Sequence, residues 1–544
     1  MSGVPTLVAL AAAALVAFGP LPTGAPRALH FILADDTAIG HFESVTVPPE
    51  AVPAGPERRL QARLEALVRE VEHHRRRVTV KPRVAFDQVG LREELVSLLA
   101  GVEGRAQVSV HVRDLETGGV LFDYAGHALL NPASNHKLLT SAASLDLLGP
   151  NYVFSTQVGV VGPYVYLIGQ GDPTLDSGRL HEMAQDLAQW PSAPQFERII
   201  VDDAAFSPAI FGPGYDSGGP GFAYQAPSGA LSLDFNTVEV VAYPSRGRAP
   251  AVFLRPASRY VQLDNRARMG GRSTRLRATS SRHGDQTIVR VSGRMRRRGR
   301  PWSVRRRVYQ PARYVGASFA AFLGELTDSE PIPVERGRAP EHMDRLRTYA
   351  SAPLFDVVDR LLTYSNNFGA EQLLRTLGWR MTATPGDWHN GAQVLRRYWE
   401  ALGNDASGLD FENGSGLSEV GRMSASGLVD LIETAHRHHS VDSGLIDALA
   451  VAGEVGTLRT RLRRSGRRVR AKTGTLRGVS ALTGVIMRDD DTPQVAFSVL
   501  INARRQRKIR ARRRRRVQDD IVRSMLRYCD DYESRRSGER AGPR

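Results

Sequence analysis

Ser134-Asn135-His136-Lys137 is the first stretch of this chain that could do covalent chemistry. A serine hydroxyl is a weak nucleophile at neutral pH and needs a base within hydrogen-bond reach. Residues three apart on a helix share a face, so an uncharged Lys137 can lie beneath the Ser134 hydroxyl. Alone, the same four residues also describe a serine cap followed by a solvated lysine. Two later stretches offer matching groups. Ser365-Asn366-Asn367 presents a hydroxyl and a carboxamide two positions apart, and Lys472-Thr473-Gly474-Thr475 supplies a second lysine beside two hydroxyls. His73-His74 has no third ligand spaced nearby, and His436-Arg437-His438-His439 lies at a helix C-terminus with no acidic or cysteine partner pattern, so no metal site is expected.

Lysine usage raises the weight of these stretches. The chain has 73 lysines and arginines, yet only four are lysines: Lys81, Lys137, Lys472 and Lys508. A chain that uses arginine wherever a positive charge suffices keeps lysine where arginine fails. Arginine stays protonated and cannot serve as a base, whereas burial can neutralise a lysine. Two of the four lysines fall within the candidate motifs.

The elements around them follow from pattern. Asn135 to Leu148 reads as a helix with an apolar stripe of Leu138, Leu139, Ala142, Ala143 and Leu145, ending at Gly149-Pro150. Ser134 then stands at a helix N-terminus, where free N–H groups favour developing negative charge. Before it lie a helix over Leu91–Leu99 and a hairpin of Gln107–Arg113 with Val120–Tyr124. From Asn151 to about Arg345 the texture turns strand-rich and broken by Gly and Pro, with strands expected at 153–161, 164–168, 199–201, 238–243 and 287–291. Asp172 and Asp202-Asp203 read as turn and cap residues. Helices return at 353–362 and from Ala370 to Gly378, with Ser365-Asn366-Asn367 on the short connection between them, a suitable place to present side chains into a cleft. A helix over Ser424–His436 precedes three antiparallel strands, 469–475, 479–487 and 495–501. The end, Arg504–Arg527, reads as a basic helix with Val517, Ile521 and Met525 facing inward.

Whole-chain properties set bounds. A chain of 544 residues can bury a large core and hold two or three domains. A formal charge of +16 suits anionic surroundings: nucleic acid, anionic wall polymer or lipid headgroups. No aromatic interleaving accompanies the Arg512–Arg516 run, so nucleic acid is not the expected partner. The single Cys529 excludes an internal disulfide. Residues 1–25 resemble a secretory signal peptide without the usual basic start, and an uncleaved anchor is the alternative. Pro48–Pro56 has linker composition, and Glu57–Arg77 is charged with a thin stripe of Leu60, Leu64 and Leu67, a candidate surface helix.

Each motif is weak and the ordered set is strong. Ser-x-x-Lys, then Ser-x-Asn, then Lys-Thr-Gly is the order used by penicillin-binding proteins and serine β-lactamases. Ser134 and Ser365 are 231 residues apart, and Ser365 and Lys472 are 107 apart. The first gap matches a large insertion. From Leu91 to Leu526 the chain resembles the D-alanyl-D-alanine carboxypeptidase/endopeptidases of the penicillin-binding protein 4 type, peptidase family S13. The resemblance rests on 132–140, Gly171-Asp172-Pro173, Ala226-Pro227, 230–233, Ser365-Asn366-Asn367, 414–418 and 471–475. Asn413 departs from it, standing where the family usually has Asp.

The resemblance implies an α/β (α+β) fold: a transpeptidase-like domain, helices around an antiparallel sheet, interrupted by a β-rich insertion of one or two domains. The expected division is a leader (1–25), a basic low-order linker (26–84), the two parts of the transpeptidase-like domain (85–150 and 346–528), the insertion (151–345) and a polar tail (529–544). The implied roles are Ser134 as nucleophile, Lys137 as its base, Ser365 as proton relay, and Asn367, Lys472, Thr473, Gly474 and Thr475 as substrate contacts. Backbone N–H groups of Ser134 and Thr475 hold the oxyanion. The expected substrates are peptidoglycan stem peptides, with β-lactams expected to acylate Ser134 and no cofactor or metal expected; the leader-like start points to export to the periplasm or cell wall, where the basic segments could touch wall or membrane surface. A β-lactamase or esterase would share the motifs but needs rapid deacylation. A binding module that had lost catalysis would usually lose a motif lysine or serine, and a nucleic-acid binder would show salt-steep binding.

Overall fold

A computed structural model describes residues 55–77, 88–190, 195–215, 218–437, 444–504 and 509–540. The expected leader (1–25), Lys81, His438, His439 and Lys508 lie outside these residues.

In chain order the first elements are helix α1 (Pro56–Arg77), helix α2 (Gln88–Ala100), strands β1 (Ala106–Asp114) and β2 (Val120–Tyr124), and helix α3 (His136–Leu148). The insertion follows with β3 (Val153–Val161), β4 (Tyr164–Gly169), α4 (Ser177–Ala188), β5 (Arg198–Asp202), β6 (Thr237–Tyr243), β7 (Ala251–Arg255), β8 (Val261–Asn265), β9 (Arg268–Met269), β10 (Arg275–His283), β11 (Gln286–Met295), β12 (Trp302–Arg307), α5 (Pro311–Thr327), β13 (Val334–Arg336) and β14 (Arg345–Pro353). The chain closes with α6 (Leu354–Tyr364), α7 (Asn367–Thr382), α8 (Trp388–Ala401), α9 (Ala425–Arg437), β15 (Val469–Leu476), β16 (Val479–Met487), β17 (Pro493–Ala503) and α10 (Ala511–Arg540).

One antiparallel sheet, ordered β15-β16-β17-β1-β2, joins strands from both ends of the chain. Helices cover both faces. On one, Leu95 and Leu99 of α2 and Ile521 and Met525 of α10 pack on Val110, Phe497 and Ile501. On the other, α3 and α6 to α9 form the largest core with Ala481, Val485, Ala496 and Leu500. Two-sided burial explains why all nine residues of β16 are buried. The 151–345 region has a separate core. It contains a mixed sheet β13-β5-β4-β3-β14 and two further sheets, β12-β6-β7 and β10-β11-β8 with β9 beside β11. Helices α4 and α5 within it were not expected from the sequence.

Two expectations are corrected. The 26–84 segment is not a low-order linker throughout, and its helix is not confined to the surface. Leu60, Leu64, Leu67 and Val71 of α1 are buried in the same core as α3, α7 and α8. Arg63 donates to the Asp146 carbonyl at 3.2 Å and Arg397 to Gln61 at 2.6 Å. The leucine stripe is thin because a helix lying on a groove between others needs only one narrow apolar line. The polar tail also fails as described: α10 continues through Arg540, with Cys529 and Tyr532 buried. Within the Arg512–Arg516 run, Arg513 donates to the Gly101 carbonyl at 2.9 Å and Arg514 to Ser480 Oγ at 3.0 Å, so two of these arginines pin the helix.

Arg375 of α7 ties the insertion to the helical body. Its guanidinium lies between the rings of Phe206 and Trp388, 4.6 and 4.4 Å from their centroids. It donates to the carbonyls of Gly386 (3.1 Å), Ser228 (2.9 Å) and Ser207 (2.7 Å). Gln372, one turn earlier, donates to Gly171 and Gly229 carbonyls at 3.2 and 3.0 Å.

Candidate active site

The Ser134 stretch begins in a 3₁₀ turn, Ala133–Asn135, that runs into α3. Asparagines hold this turn on the sheet. Asn131 Oδ1 accepts from the Ala133 N–H at 2.8 Å, and its Nδ2 reaches the Ser418 and Glu419 carbonyls, each at 3.0 Å. Asn135 Nδ2 donates to Thr483 Oγ1 of β16 at 2.7 Å. Ala133 adopts φ +46°, a left-handed conformation that a non-glycine residue holds only when its surroundings enforce it. Gly416 supplies part of that enforcement: a Cβ there would sit 2.0 Å from the Ala133 carbonyl oxygen.

Lys137, in the first turn of α3, is fully buried. Its Nζ lies 3.1 Å from Ser134 Oγ, 2.8 Å from Asn367 Oδ1 and 2.7 Å from the Ser415 carbonyl. Burial lowers its pKa to about 7, opposed by the nearby Glu371 carboxylate. A lysine at that value is partly neutral at physiological pH and can take a proton from the hydroxyl it touches.

Ser365 ends α6 in a left-handed conformation, φ +58°, and Asn366 caps α7 by accepting from the Gly369 N–H at 3.2 Å. The turn thus serves as a cap and also aims its neighbours. Lys472 Nζ of β15 lies 2.9 Å from Ser365 Oγ and 2.9 Å from the Thr473 carbonyl. Burial, and after it the charge of Lys137, pushes the Lys472 pKa well below that of a free lysine. Asn367 bridges inward to Lys137 and outward, through Nδ2, to the Tyr224 carbonyl of the insertion at 3.0 Å. The five side chains form two hydrogen-bonded groups, Lys137 with Ser134 and Asn367 and Lys472 with Ser365, close enough that Lys472 feels the charge of Lys137. Gly474 lies against the nucleophile turn, where a Cβ would come within 2.6 Å of the Pro132 carbonyl oxygen. Thr473 is half-buried and Thr475 exposed, on a strand at the sheet edge.

Reasoning from sequence did not single out Glu371. It is 1% exposed and accepts from Trp388 Nε1 (2.8 Å), Gly414 N–H (3.1 Å), Ser415 N–H (3.0 Å) and the Tyr215 hydroxyl (3.1 Å). It holds the turn whose Ser415 carbonyl grips Lys137. The available signal was spacing, since Glu371 lies four residues beyond Asn367 on the same helix face. Asn413 also has a place here. It donates to the Pro213 carbonyl and accepts from the Gly416 N–H, both at 2.8 Å, which an amide can do and an ionised carboxylate cannot. Asp172 and Asp202 are turn residues: Asp172 accepts from Thr174 N–H at 2.7 Å and Asp202 from Ala204 N–H at 2.9 Å.

A profile of the D-Ala-D-Ala carboxypeptidase 3 (S13) family matches residues 91–523. The chain belongs to the S13 family. A D-alanyl-D-alanine carboxypeptidase of Actinomadura sp. (strain R39) is 31% identical over 76% of this chain and 81% of its own length. The carboxypeptidase DacB of Mycolicibacterium smegmatis is 24% identical over 76% of this chain and 80% of its own length. Penicillin-binding protein 4 of Haemophilus influenzae superposes with a TM-score of 0.67 at 19% identity, covering 79% of this chain and 99% of that protein. This last likeness shows the S13 fold, an α/β transpeptidase-like body with antiparallel sheets, as the ordered motifs implied. Helix α1 lies outside the matched S13 range. Among the described residues no helix is long and apolar enough to cross a membrane.

Proposed function

We propose that Ser134, Lys137, Ser365, Asn367 and Lys472 carry the S13 reaction on peptidoglycan stem peptides. Neutral Lys137 takes the proton from Ser134 Oγ as that oxygen attacks the carbonyl of the penultimate D-alanine. Backbone N–H groups of Ser134 and Thr475 receive the oxyanion, a contact worth roughly 10²–10³ in rate per donor. The C–N bond breaks as a proton passes through Ser365 to the departing D-alanine amine. Asn367 hydrogen-bonds the substrate amide, and Lys472 with Thr473 and Thr475 holds the terminal carboxylate. An arriving carboxylate favours the charged form of Lys472 that burial opposes. The Gly474 backbone, lying on the nucleophile turn, sets the distance between the carboxylate site and Ser134. Strand β15 is at the sheet edge, so an extended peptide can pair beside it. Water then releases the acyl-enzyme.

The observation that carries this reading is the hydrogen bond of buried Lys137, its pKa lowered to about 7, to Ser134 Oγ at 3.1 Å. Class A β-lactamases use a glutamate to activate their deacylating water. Glu371 faces four protein donors that match its lone pairs, which supports a long-lived penicillin adduct instead. The expected setting is the cell envelope, with the basic segments facing wall or membrane. Benzylpenicillin should add one adduct by intact mass, and Ser134→Ala should abolish it; an adduct that persists in the variant refutes the assignment. Digestion of purified muropeptides then separates release of terminal D-alanine from cross-link cleavage.

A further inference from the structure

The arginine surplus is concentrated. Between Val261 and Arg307 there are fifteen arginines against two acidic residues, Asp264 and Asp285, so this stretch carries +13 of the formal +16. A general preference for arginine would spread charge in proportion to length. Several of these arginines are structural: Arg305 reaches Thr237 Oγ1, Arg306 the Ala278 carbonyl, and Arg307 the Gln225 carbonyl. Others are not. Arg275 of β10 lies directly opposite Arg294 of β11, and Arg294 directly opposite Arg268 of β9. Cross-strand partners share a face, and Ala278, Val289, Val291 and Met295 occupy the buried one. The three arginines therefore form a row on the outer face, joined by Arg277 one pleat along, and all four are exposed. The only two carboxylates of the stretch are engaged elsewhere, Asp264 by Arg266 and Arg290 and Asp285 by Arg313.

Like charges directly opposite destabilise a sheet, so such a row is a liability unless an anion lies across it. Strands stand about 4.8 Å apart, which spaces the row over roughly 10 Å. This is a line of exposed forks, not a concave cradle for one small anion. We propose that the face docks a linear phosphodiester polymer of the cell envelope, laid across β10, β11 and β9. Each guanidinium can take a phosphate bidentately. A lipid surface fits less well, because none of the exposed large apolar side chains lies on this outer face, and interfacial binding needs apolar insertion. Single-stranded nucleic acid fits less well too, because no aromatic side chain interrupts the row for bases to stack on. The choice of an envelope polymer rests on the cell-wall setting proposed above.

The test compares the full chain with Arg268→Ser/Arg275→Ser/Arg294→Ser. Wild type should bind soluble poly(glycerol phosphate) with an affinity that falls steeply with salt. The triple variant should bind at least about tenfold more weakly, with a salt slope smaller by about 2. Benzylpenicillin acylation of Ser134 and hydrolysis of a soluble pentapeptide should be unchanged, because the exposed row is no part of the hydrogen-bonded set around Ser134, Lys137, Ser365, Asn367 and Lys472. Turnover of polymer-bearing sacculi should fall in the variant, and the difference should vanish on sacculi stripped of phosphodiester polymer by hydrofluoric acid. Equal polymer binding by the two proteins overturns the docking face while normal acylation leaves the enzyme reading intact. Tighter binding to anionic phospholipid vesicles or to single-stranded DNA than to the polymer also overturns it. Polymer binding that the triple variant loses, in a protein that penicillin does not acylate, upholds the face and removes the enzyme reading.

Discussion

Lys137 is where the chemistry is most exposed to test. A pKa lowered to about 7 means the amine is mostly charged below that pH and mostly free above it. The rate of Ser134 acylation by benzylpenicillin should rise about tenfold per pH unit below 7 and level off above. Lys137→Arg keeps the charge and removes the base, and should slow acylation by about 10²–10⁴ by stopped-flow or mass analysis. Glu371→Gln removes the negative charge that favours protonated Lys137, so the acid limb should move to lower pH. The amide also cannot accept from all four donors, which should cost about 1–3 kcal/mol by urea denaturation. An acid limb that stays in place in the variant would show that its charge is not felt at the amine. The two lysines of the proposed site could be found from sequence because their type is rare in this chain: four lysines, two of them in motifs. Glu371 escaped because a glutamate in a helix is ordinary, and only the folded turn at 414–415 gives it four donors.

Elements place these residues, and two of them can be tested singly. A Cβ at Gly416 would meet the Ala133 carbonyl at 2.0 Å, and the position has φ +71°. Gly416→Ala should displace the nucleophile turn and cut acylation by about 10²-fold, with far-UV circular dichroism near that of wild type. Leu64 of α1 is 6% exposed in the core it shares with α3 and α7. Leu64→Ala should lower stability by about 2–5 kcal/mol; a loss under 0.5 kcal/mol would mean that α1 is not docked in solution. Strands β4, β16 and β17 were legible because turns bracket mostly apolar runs, and β15 because it carries the Lys472-Thr473-Gly474 motif. Helix α1 was legible as a helix, but its docking was not. A stripe of three leucines among charges looks the same on a solvated helix and on one seated in a groove. The end of α10 was missed because Cys529 and Tyr532 are too few apolar residues to reveal a period. The register that aligns three arginines was beyond reach, since pairing partners are set by contacts distant in sequence.

At the scale of the whole molecule, the β15-β16-β17-β1-β2 sheet is assembled from both ends of the chain, and the insertion borders the proposed site through the Tyr224 carbonyl on Asn367. Arg375 fastens the insertion to α7 between Phe206 and Trp388. Parting the two bodies would strip a cation of the Ser207 and Ser228 carbonyls and of the Phe206 face at once. Amide hydrogen exchange at Ser207, Ser228 and Gly386 should therefore be the same in the free and penicillin-acylated protein; faster exchange on acylation would show that the joint opens. A joint of that kind keeps the Tyr224 carbonyl pressed on Asn367, so the insertion's border on the proposed site should hold one spacing whether or not Ser134 carries an acyl group.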